Sequence, residues 1–211
     1  MTPTTQFLKS MPFREGLAWY HDYIFPGLIR LSAVSFGPAT RVLDIGCGNG
    51  SVAREFANRG CEVVGIDMDE DGVRAARNAC PAARFEVLPA DVNVLENLGE
   101  QPFDLVYSLE VIEHLYDPRS FLAGCFAATR SGSRFVCSTP YHGYLKNLAI
   151  TALDGWDKHH SPQWDGGHIK FFSRKTLSAL IEECGFRALE FLGVGRAPYL
   201  WKSMMIAAIK P

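Results

Sequence analysis

Short apolar runs alternate along this chain with segments that mix charged and apolar residues at helical spacing. Arg41–Ile45, Glu62–Ile66, Arg84–Leu88, Phe103–Ser108 and Ser133–Ser138 read as five strands. Ser51–Arg59, Glu70–Asn78 and Pro118–Thr129 read as the helices between them. Ser173–Cys184 predicts another helix, ended by Gly185, the residue type that closes helices in a left-handed conformation. Arg187–Val194 and Ser203–Ile209 supply two final strands. Ahead of all these, the aromatic-rich stretch Phe13–Phe36 predicts a helical cap broken at Pro26-Gly27. Strands alternating with helices give an α/β chain with a doubly wound, mainly parallel seven-stranded sheet and helices on both faces. Residues 1–211 read as a single domain, with 1–38 as the cap and 140–172 as an insertion after the fifth strand.

The turn after the first strand carries the first chemical signal. Asp44-Ile45-Gly46-Cys47-Gly48-Asn49-Gly50 follows the apolar pair Val42-Leu43 and precedes the helix at Ser51. Glycine accepts positive φ and lets a ligand approach the backbone closely. The start of the next helix offers unpaired N–H groups and the positive end of a dipole, which suits a polar or anionic group. The second strand, Val63-Val64-Gly65-Ile66, ends in Asp67, where a carboxylate accepts hydrogen bonds from both hydroxyls of a ribose. Loop and acid together describe a site for a nucleoside cofactor. The glycines run G-x-G-x-G, and Ser51 stands where the dinucleotide fingerprint needs its third glycine.

This form, with Asp44 before the first glycine and Asp67 one strand later, resembles the first two motifs of class I S-adenosylmethionine (SAM) dependent methyltransferases. The resemblance implies a Rossmann-like sheet whose last strand runs antiparallel, and SAM as cofactor. Gly46, Cys47, Gly48 and Gly50 would form its loop, with Asp44 near the ammonium group. Asp91, in Pro89-Ala90-Asp91-Val92, falls where the family bonds the adenine amino group. The backbone of Val92 would face the ring and Met68 would stack on it. Leu109 ends the fourth strand, where ligands gather in open α/β sheets, and joins this set. Two plainer roles stand beside these: Asp91 as the N-cap of a helix over Val92–Leu98, and Cys47 as a small packed side chain. The Asn-Pro-Pro-Tyr signature of amino methyltransferases is missing from Tyr107–Glu110, which favours an oxygen acceptor.

Glu110-Val111-Ile112-Glu113-His114 follows the fourth strand and predicts a helical turn. Residues 110, 113 and 114 would share one face, a set of side chains able to hold a divalent cation. Ser138-Thr139-Pro140 and a late histidine, His168, before Phe171-Phe172 complete a pattern similar to two methyltransferase groups. One is the ubiquinone-biosynthesis O-methyltransferases, which methylate a catechol. The other is the small-RNA 2′-O-methyltransferases, where two Glu and two His hold a metal across a vicinal diol. The resemblance implies that Glu110, Glu113, His114 and His168 bind a metal, Mg²⁺ first and Mn²⁺ or Zn²⁺ equally suited to imidazole, or that the Glu-His pair is structural. Chelation would orient a diol and lower its hydroxyl pKa. Without a metal, His168 is the first candidate general base, with His114 beside it and His142 and His160 behind.

The insertion holds Tyr141–Asn147 and the histidine- and tryptophan-rich run Trp156–Trp164, which suggests a lid over a small-molecule acceptor. Leu145–Leu153 predicts an amphipathic helix, either packed on the domain or touching a lipid tail or membrane surface. Formal net charge is −2 with no basic run, so no extended nucleic-acid partner is expected. No apolar stretch reaches membrane-spanning length, Met1–Ser10 lacks signal-peptide character, and the six cysteines are scattered singly. These features place the chain in a reducing cytoplasm. The reading is O-methylation of a catechol- or diol-type hydroxyl. N- or carboxyl-methylation in natural-product or sugar tailoring is the alternative within enzymes, and a non-catalytic SAM-binding interaction protein the alternative outside them. A nicotinamide dehydrogenase would need the absent third glycine and a substrate domain.

Overall fold

The computed structural model describes residues 21–160 and 162–211. The front of the expected cap, with Tyr20, lies outside the described residues, as does Ser161. Seven strands form one sheet in the order β3-β2-β1-β4-β5-β7-β6. They are β1 (Arg41–Ile45), β2 (Glu62–Asp67), β3 (Arg84–Val87), β4 (Phe103–Leu109), β5 (Thr129–Pro140), β6 (Arg187–Val194) and β7 (Ser203–Ile209). The first five pair in parallel, and β7 runs antiparallel between β5 and β6. The order reverses between β1 and β4, whose carboxyl ends therefore open a crevice, the usual ligand position in such sheets.

Central strands are buried on both sides. Along β4, Phe103 and Val106 face one core while Leu105, Tyr107 and Leu109 face the other. The second core receives α1 (His21–Ser32), α2 (Ser51–Ala57) and α3 (Glu70–Ala79). The first receives α4 (Val94–Leu98), α5 (Pro118–Ala128) and α8 (Arg174–Glu183). Ser173 caps α8 through a reciprocal capping box with Thr176. Among the described residues no helix is long and apolar enough to cross a membrane.

Three local expectations change. Helix α1 runs unbroken through Pro26-Gly27, because Gly27 is a packing glycine: a Cβ there would lie 2.7 Å from Met205 Sδ and 3.0 Å from Leu192 Cδ2. Strand β5 starts at once from the end of α5 rather than at Ser133. The turn after β4 is a 3₁₀ turn over Ile112–His114, and Glu110 precedes it in a left-handed conformation at φ 56°. The insertion forms α6 (Tyr144–Ala152) and α7 (Trp156–His160).

Candidate active site

Strand β1 delivers its loop into the crevice with all three alternate glycines left-handed, at φ 82°, 50° and 71° for Gly46, Gly48 and Gly50. This conformation is why glycine recurs at every second position. The loop is pinned beneath β2, since the N–H groups of Gly46 and Cys47 both donate to Ile66 O at 2.8 and 2.9 Å. Space in front of Gly48 is open: a Cβ built there meets nothing within 4 Å. Asp67 ties the two strand ends together, accepting from Gly48 N at 2.8 Å through Oδ2 and from Asp69 N at 2.9 Å through Oδ1. Each oxygen keeps a second lone-pair site for a ligand hydroxyl.

Asp44 is buried beneath this loop, and burial raises its pKa to about 7, with the neighbouring Asp67 adding to the rise and the Tyr107 hydroxyl opposing it. Burial also raises Asp67, against the N–H groups of Asp69 and Gly48. Two neighbouring buried acids, each raised by burial, would have their ionised forms favoured by a nearby cation. Cys47 is buried and its thiol is pushed up by that burial, so it packs rather than reacts. Met68 and Asp91 are half-buried, Val92 is exposed and Leu109 is buried. Asp91 Oδ1 accepts from Asn93 N at 2.9 Å, and Asn93, not Asp91, occupies the N-cap position of α4.

After β4, the structure brings Glu113, His114 and His168 together, with one ligand atom from each lying within 4.8 Å of the others. The insertion is stitched to the turn by Glu113 O, which accepts from Ile169 N at 2.9 Å and Lys170 N at 3.0 Å. His114 Nδ1 lies 2.9 Å from Gly166 O, so Nδ1 carries the proton and Nε2 is left with its lone pair, 3.9 Å from Glu113 Oε1. Trp164 stands edge-on to both His114 and His168 at 5.8 Å between ring centres.

The electrostatics of this trio are those of a set of neutral ligands. Burial lowers His114, against the carbonyls of Gly166 and Gly167. Burial, then His114, takes His168 to about 4. Burial followed by Glu110 raises Glu113 well above the carboxylate range. The Thr139 hydroxyl opposes that rise, yet neither Glu113 oxygen has a well-formed hydrogen bond among the described residues. A carboxyl group only 1% exposed and without hydrogen-bond partners is costly unless something else completes it. One carboxylate and two imidazoles, with an orphaned carboxylate among them, fit a divalent cation.

Glu110, the fourth ligand expected from sequence, is elsewhere. Its left-handed backbone turns the carboxyl away, where Oε1 accepts from Ser138 Oγ at 2.8 Å and Oε2 from Ser203 Oγ at 3.0 Å. Burial raises it to about 7, opposed by those hydroxyls and by Lys146. It locks the ends of β4, β5 and β7 together. Ser203, Lys146 and Tyr23, which lies against Ser203 from α1, were missed by sequence reasoning, because no local motif marks residues that meet only across the sheet. Of the other histidines, His21 stacks on Phe25, whereas His142 packs at 5.5 Å against His160 in the lid.

The methyltransferase domain family model matches residues 17–190. The ubiquinone biosynthesis O-methyltransferase of Ruegeria sp. (strain TM1040) is 32% identical over 168 residues, covering 77% of this chain. The chain spans just under two thirds, 66%, of that relative's length. The magnesium protoporphyrin IX methyltransferase of Synechocystis PCC 6803, solved with bound SAH, superposes with a TM-score of 0.65 at 17% identity, over 89% of this chain and 80% of its own. The [4+2]-cyclase SpnF superposes with a TM-score of 0.68 at 13% identity, over 89% and 80%. The two structural likenesses establish the fold alone, which hosts more than one chemistry. The family match over most of the chain, with the glycine loop and Asp67 in place, makes it a member of the methyltransferase domain family, of the class I SAM-dependent type.

Proposed function

We propose that this chain transfers a methyl group from SAM to an oxygen of a small hydroxylated acceptor, a catechol or vicinal diol. The observation that carries the reading is the cluster of Glu113, His114 and His168 around the turn that follows β4, the strand that flanks the crevice with β1. The ubiquinone-biosynthesis relatives, named as O-methyltransferases, support the choice of oxygen.

Bound SAM supplies an electrophilic methyl group on a sulfonium. Asp44 and Asp67 provide the negative surroundings for its amine and hold the ribose, and the left-handed loop leaves room at Gly48 for close backbone contact. Where no cation is held, the acceptor hydroxyl loses its proton to the His168 ring, which is neutral throughout the neutral range. Methyl transfer to that oxygen would leave the sulfur with the electron pair of the broken C–S bond, so the residues of this chain have only the hydroxyl proton to remove. Trp164 and the lid close over the histidines and keep water from the methyl group.

Glu113, His114 and His168 would hold a divalent cation, which would supply Lewis acidity to the acceptor oxygens. With Glu110 turned away, two of the three protein ligands are imidazoles. That set suits Mn²⁺ or Zn²⁺ better than Mg²⁺, which favours oxygen.

The test is methyl transfer from SAM to a catechol and to the matched monophenol, each with Mn²⁺ and with EDTA. Turnover of the catechol, lost in EDTA, is expected. Metal-independent turnover would remove the cation and leave the proton to His168. Bound SAM without turnover of either acceptor refutes the O-methylation reading.

A further inference from the structure

Helix α6 is inside out. Its one buried residue is Lys146, 4% exposed, while Leu145 and Leu148 are about half exposed. Burial of a lysine is unfavourable unless its charge is answered. Here burial and the nearby Arg196 lower Lys146 to about 8, while Glu110 opposes the shift. Its Nζ donates to Lys202 O at 3.2 Å, one residue from the Ser203 that holds Glu110. Lys146 thus stands between the acceptor end of the crevice and a second space.

That second space is a cavity of about 530 Å³ between α6, α7 and the turn that joins β6 to β7. Its charged lining is Lys146, Lys158 and Arg196, and no acidic residue contributes to it. Among the described residues none of the three cations makes an ion pair. The remaining wall is His159 and a larger apolar part from Ile150, Leu153 and Leu200. Three like charges around an apolar space repel one another, and a bound anion converts that repulsion into attraction. A free inorganic ion would leave the apolar wall uncovered, whereas an amphiphile matches both surfaces.

We propose that this cavity is a second subsite for the acceptor and takes an anionic oxygen group on an apolar body. The anionic group meets Lys146, Lys158 and Arg196, and the body covers Ile150, Leu153 and Leu200. The subsite rests on the O-methylation reading only in assigning the anion to the methyl acceptor. The cavity and its charges stand independently of it.

The experiment is direct titration of the full-length protein with monomeric decanoate, decyl phosphate and decanol, followed by tryptophan fluorescence or calorimetry. Lys158 and Arg196 are exposed, so the double variant Lys158→Gln/Arg196→Gln leaves the fold intact. Both anions are expected to bind about tenfold more tightly than decanol, and the double variant to lose that preference while binding decanol and S-adenosylhomocysteine as the parent does. Decanoate bound more tightly than decyl phosphate identifies a carboxylate subsite, and the reverse a phosphate subsite. Equal binding of anions and alcohol, or an anion preference that survives the double substitution, overturns the proposal. Binding only to anionic vesicles, with none to the monomeric probes, overturns it in favour of a membrane surface. Catechol turnover separates the two readings. An anion preference without catechol turnover leaves the subsite and removes O-methylation, and turnover without an anion preference removes the subsite alone.

Discussion

Gly46→Ala tests the junction of the two halves of the site. Gly46 sits at φ 82°, and a Cβ built on it falls 2.3 Å from Val111 Cγ2, well inside contact distance. Two costs add. An L-residue held in the left-handed region loses about 1–2 kcal/mol. Overpacking against a stiff β-branched side chain costs about 1–3 kcal/mol. The expected destabilisation is therefore about 2–5 kcal/mol, which for a chain of this size lowers Tm by about 2–4 °C per kcal/mol. Val111→Ala removes the steric part and leaves the backbone part, so the double variant should regain about half of the loss. The assay is urea unfolding of parent, both single variants and the double, read as a coupling energy. Val111 leads into the turn that carries Glu113 and His114, so Gly46→Ala should also weaken SAM binding beyond what Val111→Ala restores. A Gly46→Ala variant as stable as the parent, or costs that simply add in the double, would refute the close approach of loop and turn.

Three further outcomes follow from the charges of the site. Asp44 ionises near pH 7 in the ligand-free protein, so SAM affinity should rise from about pH 6 to about 7.5, where the ligand amine stays charged, and Asp44→Asn should flatten the profile; calorimetry showing a flat profile for the parent would remove Asp44 from the amine site. Saturating Mn²⁺ or Zn²⁺, at about 100 times Kd, should stabilise the protein by about 2.7 kcal/mol, with the gain lost in Glu113→Gln and kept in Glu110→Gln; thermal shifts equal in both variants would reject the three-residue site. Burial holds His142 at about 4, so between about pH 6.5 and 4 the unfolded chain binds the extra proton and stability falls as pH falls, being complete above 6.5. Asp44 and Glu110, both raised to about 7, slope the opposite way. The readout is therefore the difference in urea midpoint between parent and His142→Asn at pH 7 and pH 5, and an identical drop in both would show that His142 is not involved.

The apolar runs were enough to place the sheet, and the alternate glycines to place the left-handed loop that follows β1. The apolar runs of β1, β2, β4 and β5 are buried on both faces, which leaves a continuous hydrophobic signal, and glycine holds left-handed positions without the steric cost of a side chain. Asp67 was legible for the same reason: it ends a strand, and parallel strands deliver their carboxyl ends to one edge. What the tertiary structure decided lies in contacts between distant segments. Whether Glu110 joins Glu113 and His114 depended on one φ angle and on Ser203, 93 residues away. His168 reaches His114 because Glu113 O accepts the N–H groups of Ile169 and Lys170. Pro26-Gly27 looked like a break but is a packing contact whose partner, Met205, lies at the far end of the chain. Local periodicity reports which side of an element is buried. It carries no record of which polar groups satisfy one another across the fold, and those pairings set the charge and the shape of the cluster that follows β4.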